Sequence, residues 1–293
     1  MNAVKKMLVV GGTHGNELTG VYLVKQWQQQ PEAIQRVGLK VETLLANPSA
    51  IMHNKRYLEK DLNRCFSQSD LENSACQLLE ELRAKEIAQW IQEKSIDFIL
   101  DLHTTTSNMG ITLVIQDNLP RTCRVAAYVQ QKMPEVHIFY EPCDWQSSVY
   151  LFSMGSMGGL LIEVGPTPQG LLRADIFQKT QQVVQHTLDG LVRYDQGLLS
   201  AVELEAYEFL DKVPFPQQDN QLQGMIHPQL QDRDYQPLQP GDPLFLTFSG
   251  EVLTYQGDSV VYPVFINEAA YYDRLQAITL MQKVQLQETA QQS

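Results

Sequence analysis

Cysteine is sparse. Cys65, Cys76, Cys123 and Cys143 lie far apart with no CxxC pair, which excludes a disulfide framework and a cysteine-type zinc site and fits a reducing compartment. No run is long and apolar enough to span a bilayer, and the apolar stretch at 7–10 is too short for a signal peptide. A cytoplasmic protein is expected. Basic residues are in deficit, 22 against 34 acidic, for a net charge of −12. Neither nucleic acid nor an anionic membrane is therefore an expected partner. The Gly11-Gly12 pair is not a dinucleotide fingerprint, because GxGxxG is absent.

What is present is ordinary globular composition, 43% hydrophobic and 19% charged over 293 residues, enough for one large domain and a smaller one. Apolar runs at 7–11, 39–46, 96–102, 110–116, 136–140 and 159–164 read as strands. Between them, helical patterns fall at 17–30, 71–94, 121–133 and 172–194. This alternation predicts an α/β sandwich with a mainly parallel or mixed central sheet. Beyond Gly197, proline and glycine become dense and short β-like runs (244–248, 260–266) dominate. Residues 1–197 are thus expected as one domain and 198–293 as a smaller β-rich one, with a glutamine-rich stretch at 275–293 fraying at its end.

Four constellations carry chemistry. Gly11-Gly12-Thr13-His14-Gly15-Asn16-Glu17 lies where a strand gives way to a helix. His14 and Glu17 can converge on one ion, although alone they are equally a hydrogen-bonded pair at a helix start. Asp101-Leu102-His103 ends an apolar strand, and His103 completes a His2Glu set that leaves a fourth zinc position open for water. Asp101 shares the strand face of His103, with a supporting or a purely structural role both open. Glu163 sits in the apolar run Gly159–Val164, where a carboxylate is costly unless paired or functional. Beside a metal it would be a general base. Finally, Arg56, Asn63 and Arg64 cluster in one polar loop, which by itself reads first as a solvated surface loop and otherwise as a set that could polarise a carbonyl and hold a carboxylate.

The segments GGTHGNELTG, RYLEKDLNR, DLHTTTSNMG, IEVGPTPQGLLRAD, QPGDPLFL and YPVFINEAAYY stand in the order seen in the aspartoacylases. The chain resembles that family, an N-acyl amino acid amidohydrolase branch of the zinc carboxypeptidase-like superfamily, over nearly its whole length. The resemblance implies one zinc ion per chain on His14, Glu17 and His103, Glu163 as general acid/base, and Arg56 as oxyanion stabiliser. It further implies Asn63 and Arg64 on the substrate α-carboxylate, with Tyr271 and Lys212 reaching the pocket from the C-terminal domain, which narrows the entrance. Members are often dimers, so a homodimer is implied. The expected substrate is a small N-acyl amino acid, foremost N-acetylaspartate. The alternatives are an aminoacylase for N-acetylated neutral or aromatic amino acids or mercapturates, and a non-catalytic metal-binding regulator. The regulator would lack a ligand or the base, and His14, Glu17, His103 and Glu163 are all present. One departure stands out. Aspartate-selective members carry an arginine ten positions before the base, and here counting back from Glu163 reaches Ser153.

Overall fold

The computed structural model describes residues 3–143 and 147–289. In chain order its main elements are β1 (Lys6–Gly11), α1 (Leu18–Gln29), β2 (Lys40–Leu45), α2 (Leu79–Lys94), β3 (Phe98–Thr104), β4 (Ile111–Ile115), α3 (Pro120–Lys132), β5 (Val136–Tyr140), β6 (Gly159–Val164), α4 (Ala174–Asp195), β7 (Leu204–Pro214), β8 (Gly224–Ile226), β9 (Pro243–Thr247), β10 (Val252–Thr254), β11 (Tyr262–Val264) and β12 (Gln276–Leu286). Nine strands form one mixed sheet in the order β11-β12-β7-β5-β4-β6-β3-β1-β2. β3 is parallel to both β1 and β6, whereas β4 runs antiparallel to β6. β8, β9 and β10 form a separate antiparallel sheet. This is the mixed α/β architecture with a β-rich C-terminal part that the patterning predicts.

Strand alternation divides the core. Met7, Val9, Leu100, Leu102, Ile138 and Ile162 point to one face, where they pack on Leu23 and Trp27 of α1, Val125 and Val129 of α3, and Val184 and Leu188 of α4. Leu8, Val10, Ile99, Leu161 and Phe139 point to the other, where α2 contributes Ile87 and Ile91. That second face is only partly helix-covered. Loops and the C-terminal segment complete it, and the cavity lies there.

One expectation changes. The helix expected over 71–94 begins at Leu79, because the Asn73 side chain accepts from the Ala75 N–H at 3.0 Å and makes a turn that competes with helix. The glutamine-rich stretch is mostly a strand: β12 pairs antiparallel with β7 along its length. Only residues 290–293, the expected fraying end, lie outside the described residues. The central sheet continues into the C-terminal part, where β7 pairs in parallel with β5 through Phe139↔Tyr207. No helix among the described residues is long and apolar enough to cross a membrane.

Candidate active site

The turn after β1 brings His14 and Glu17 to the edge of the sheet. It lies tightly against a neighbouring loop: a Cβ on Gly15 would stand 2.1 Å from the Ala50 carbonyl carbon. The Gly15 N–H donates to Arg56 O at 3.1 Å, so this close approach delivers Arg56 to the site. The loop continuing from Arg56 is pinned from below. Buried Glu80 accepts from the backbone N–H groups of Leu58, Glu59 and Lys60 at 2.7, 3.1 and 3.1 Å.

Two imidazoles and a carboxylate converge. His14 Nδ1 lies 2.7 Å from Glu17 Oε1, His103 Nδ1 lies 3.0 Å from Glu17 Oε2, and the two Nδ1 atoms are 3.1 Å apart. Each far nitrogen faces a second carboxylate: His14 Nε2 is 3.0 Å from Asp61 Oδ1, and His103 Nε2 is 2.9 Å from Asp101 Oδ2. All five side chains are buried. An imidazole whose Nε2–H rests on a carboxylate, as His14 does on Asp61, keeps its Nδ1 lone pair free for a cation; His103 Nε2 has the Asp101 charge beside it at 2.9 Å but outside hydrogen-bonding geometry. The donor set fits a zinc ion, with His14, Glu17 and His103 as the ligands.

The electrostatics agree with a cation-binding point. Burial tends to raise Glu17, but the neighbouring His14 and His103 outweigh it and hold the carboxyl well below its usual range. Burial likewise opposes protonation of His103, while Asp101 and Glu17 push its pKa well up. Asp61 is raised by burial and lowered further by His14, Arg56 and Arg64, with a strongly depressed outcome.

Glu163 stands beside this group. In the β3–β6 ladder it is paired with His103. Its Oε1 is buried and has no hydrogen-bond partner among the described residues. Burial, reinforced by the Glu17 charge, pushes its pKa well above the carboxylate range. A carboxyl group so raised is suited to exchanging a proton with a reacting group.

Around this centre opens a cavity of about 800 Å³ that includes its solvent-filled mouth. His14, Glu17, His103, Glu163, Arg56, Asn63, Arg64, Tyr271 and Lys212 all line it. Arg56 reaches Glu17 Oε1 at 3.3 Å and Asp61 Oδ2 at 3.2 Å. The Asn63 side-chain carbonyl accepts from Leu151 N–H at 3.0 Å, and Arg64 stands 4.8 Å above the Tyr150 ring. Tyr271 packs on Phe265, and Lys212 lies over Phe209 near the mouth. None of the other four histidines, His53, His137, His186 and His227, lines the cavity.

The comparisons now decide the family. A succinylglutamate desuccinylase/aspartoacylase catalytic-domain model matches residues 3–191, and an AstE/AspA barrel-sandwich hybrid domain model matches residues 202–283. The chain belongs to the succinylglutamate desuccinylase/aspartoacylase family. Among its relatives, a probable aspartoacylase of Nostoc sp. is 43% identical over 97% of this chain and 98% of its own. An N-acyl-aromatic-L-amino acid amidohydrolase (carboxylate-forming) of Homo sapiens is 43% identical over 92% of this chain and 88% of its own. The crystal structure of murine aminoacylase 3 superposes with a TM-score of 0.93 at 38% identity, covering 99% of this chain and 100% of that one.

Within this family member, sequence reasoning missed several contributors. Asp61 lies inside a quoted motif, yet its contact with His14 spans 47 positions and no local spacing signals it. Glu268 is buried and accepts from Thr105 Oγ1, Thr106 N (2.8 Å), Thr106 Oγ1 (3.0 Å), Ser107 N and Oγ (both 3.3 Å), and Ala270 N (3.1 Å). It fastens the loop after His103 to the turn that carries Tyr271. Ser153 stands ten positions before Glu163. Its hydroxyl bonds Tyr150 O at 2.6 Å and Ser148 Oγ at 2.8 Å, and it does not line the cavity, whose wall there is Tyr150 and Phe152.

Proposed function

We propose that the protein hydrolyses the amide bond of N-acyl amino acids with a zinc ion held by His14, Glu17 and His103. The observation that carries this reading is the convergence of those three side chains beside the buried carboxyl of Glu163, whose Oε1 has no hydrogen-bond partner among the described residues. When bound, zinc would supply Lewis acidity toward the amide carbonyl and toward water.

The protein's own groups do the rest. Asn63 and Arg64 orient the substrate through its α-carboxylate. Glu163 takes a proton from the attacking water and delivers it to the amine nitrogen as the C–N bond breaks, so one water and one amide yield a carboxylate and an amino acid. Arg56 balances negative charge growing on the amide oxygen. Asp61 and Asp101 hold the two imidazoles in orientation. Glu268 keeps Tyr271 over the cavity, and the C-terminal segment narrows access to it.

Between the two substrate readings, the cavity wall favours apolar or aromatic side chains over the aspartate side chain. Val114, Leu161, Phe139, Phe152 and Phe209 line it, and the Ser153 hydroxyl is turned away. N-acetylaspartate is then a secondary substrate. The test is kcat/KM of zinc-loaded protein on N-acetylphenylalanine, N-acetylmethionine, a mercapturate, N-acetylglutamate and N-acetylaspartate. Hydrolysis of none of them ends the amidohydrolase reading, and a marked preference for N-acetylaspartate reverses the order of substrates.

A further inference from the structure

The cavity floor is a ladder of side chains at fixed spacing. Thr112 pairs with Glu163, and Val114 pairs with both Leu161 and Phe139. The Glu141 N–H donates to Ile115 O at 2.9 Å, which continues the β4–β5 register one step past Tyr140. Alternation therefore puts Glu163 in one row, Leu161, Val114 and Phe139 in the next, and Glu141 in the row beyond. Each row is two residues, so Glu141 lies two rows along the strands (about 13 Å) and two strands across (about 10 Å) from Glu163, roughly 16 Å between the two backbone positions.

Glu141 is half-buried and lines the cavity with Phe139, Tyr150, Phe152 and Phe209. Its Oε1 accepts from the Tyr150 hydroxyl at 3.4 Å, and Arg64 stands over the same Tyr150 ring. Tyr150 thus links the proposed α-carboxylate clamp to Glu141. A carboxylate has room for several donors, and among the described residues one neutral hydroxyl is its only side-chain partner. Placed among aromatic rings, it gains from a further donor.

We propose that Glu141 is a specificity-determining acceptor at the end of the side-chain pocket. It favours N-acyl aromatic amino acids whose ring carries a distal O–H or N–H, such as tyrosine or tryptophan, over phenylalanine. This rests on the amidohydrolase reading above. The span from Glu163 to Glu141 suits an amide followed by a ring with a polar tip, whereas an aspartyl side chain ends over the apolar row and gains no partner there.

The experiment compares kcat/KM for N-acetyltyrosine and N-acetylphenylalanine in the zinc-loaded native protein, in Glu141→Leu and in Glu141→Gln. The native protein should prefer the tyrosine substrate by about 10-fold, the worth of one hydrogen bond to a charged group. Glu141→Leu should bring that ratio to about 1, and Glu141→Gln, which keeps the shape and one acceptor, should leave it between the two. A merely structural role would lower both substrates together and leave the ratio unmoved, which overturns the proposal. If Glu141→Leu does not fold, the ratio in Glu141→Gln decides in the same way. A native protein that hydrolyses these substrates without tyrosine preference removes the Glu141 assignment alone. One that hydrolyses neither, nor any other N-acyl amino acid, removes both readings.

Discussion

His103 and Glu163 occupy paired positions on the neighbouring parallel strands β3 and β6. The imidazole proposed to bind zinc and a buried carboxyl are thereby held side by side by backbone hydrogen bonds in the middle of a nine-stranded sheet. Removing the ionisable group of Glu163 should leave this frame standing. Glu163→Gln is expected to keep zinc and fold while kcat falls by about 10²–10⁴. Single-turnover kinetics on metal-quantified protein checks it, and near-native turnover would move the proton-transfer role elsewhere.

Elemental analysis should find about one zinc per chain. His103→Ala and the double variant His14→Ala/His103→Ala are expected to lose both metal and activity. Full zinc retention by the double variant would refute the ligand set.

Asp61 and Asp101 hold the far nitrogens of the two histidines. Asp61→Asn and Asp101→Asn should therefore weaken zinc affinity by about 10–100-fold without changing its stoichiometry at saturation. Competition against a chelator of known affinity reads this directly. Unchanged affinity in both variants would reduce the two carboxylates to bystanders.

Glu268→Ala leaves the donors of Thr105, Thr106 and Ser107 without their acceptor. A loss of about 1–3 kcal/mol in urea unfolding is expected, the cost of a buried polar group left unpaired. KM should rise along with it, because the same carboxylate positions the turn bearing Tyr271. A stability loss with KM unmoved would confine Glu268 to a structural role.

Asp234 makes stability depend on pH. Burial raises its pKa to about 7, although its Oδ1 accepts from Ile266 N–H at 3.2 Å. The folded protein therefore holds a proton that the unfolded chain, with an ordinary carboxyl near 3.8, releases. This group's stabilisation is complete below about pH 4 and is lost as pH rises through about 7, at on the order of 1.4 kcal/mol per unit. Asp234→Asn should flatten that slope and be more stable than the native protein at pH 8. Urea midpoints at pH 5 and pH 8 test it, and parallel profiles for the two proteins would contradict the assignment.

Legibility followed the range of the interactions. The meeting of His14, Glu17 and His103 beside Glu163 was readable in part, because the first two are separated by two residues where β1 gives way to α1 and the other two end or interrupt an apolar run. The β3 and β6 strands were readable as continuous apolar runs. β12 was not, because Gln276, Gln282, Lys283 and Gln285 break its apolar residues without regular alternation, and the stretch resembles a polar tail until β7 supplies a partner. Asp61, Glu80, Glu141 and Glu268 act on groups far along the chain, and no spacing rule reaches them. That Ser153 would turn from the cavity was not readable, because the tight turn at Leu151–Met154, which aims its hydroxyl at Tyr150 O, leaves no mark in the spacing.

The antiparallel ladder between β7 and β12 has a kinetic consequence. Lys212 and Thr279 are paired across it, and both belong to the cavity wall. A molecule lodged in the cavity thus leans on a zipper whose two halves come from distant stretches of chain. Its residence time should follow how often that zipper frays, and slowed amide hydrogen exchange along β7 and β12 would serve as a gauge of occupancy that requires no turnover.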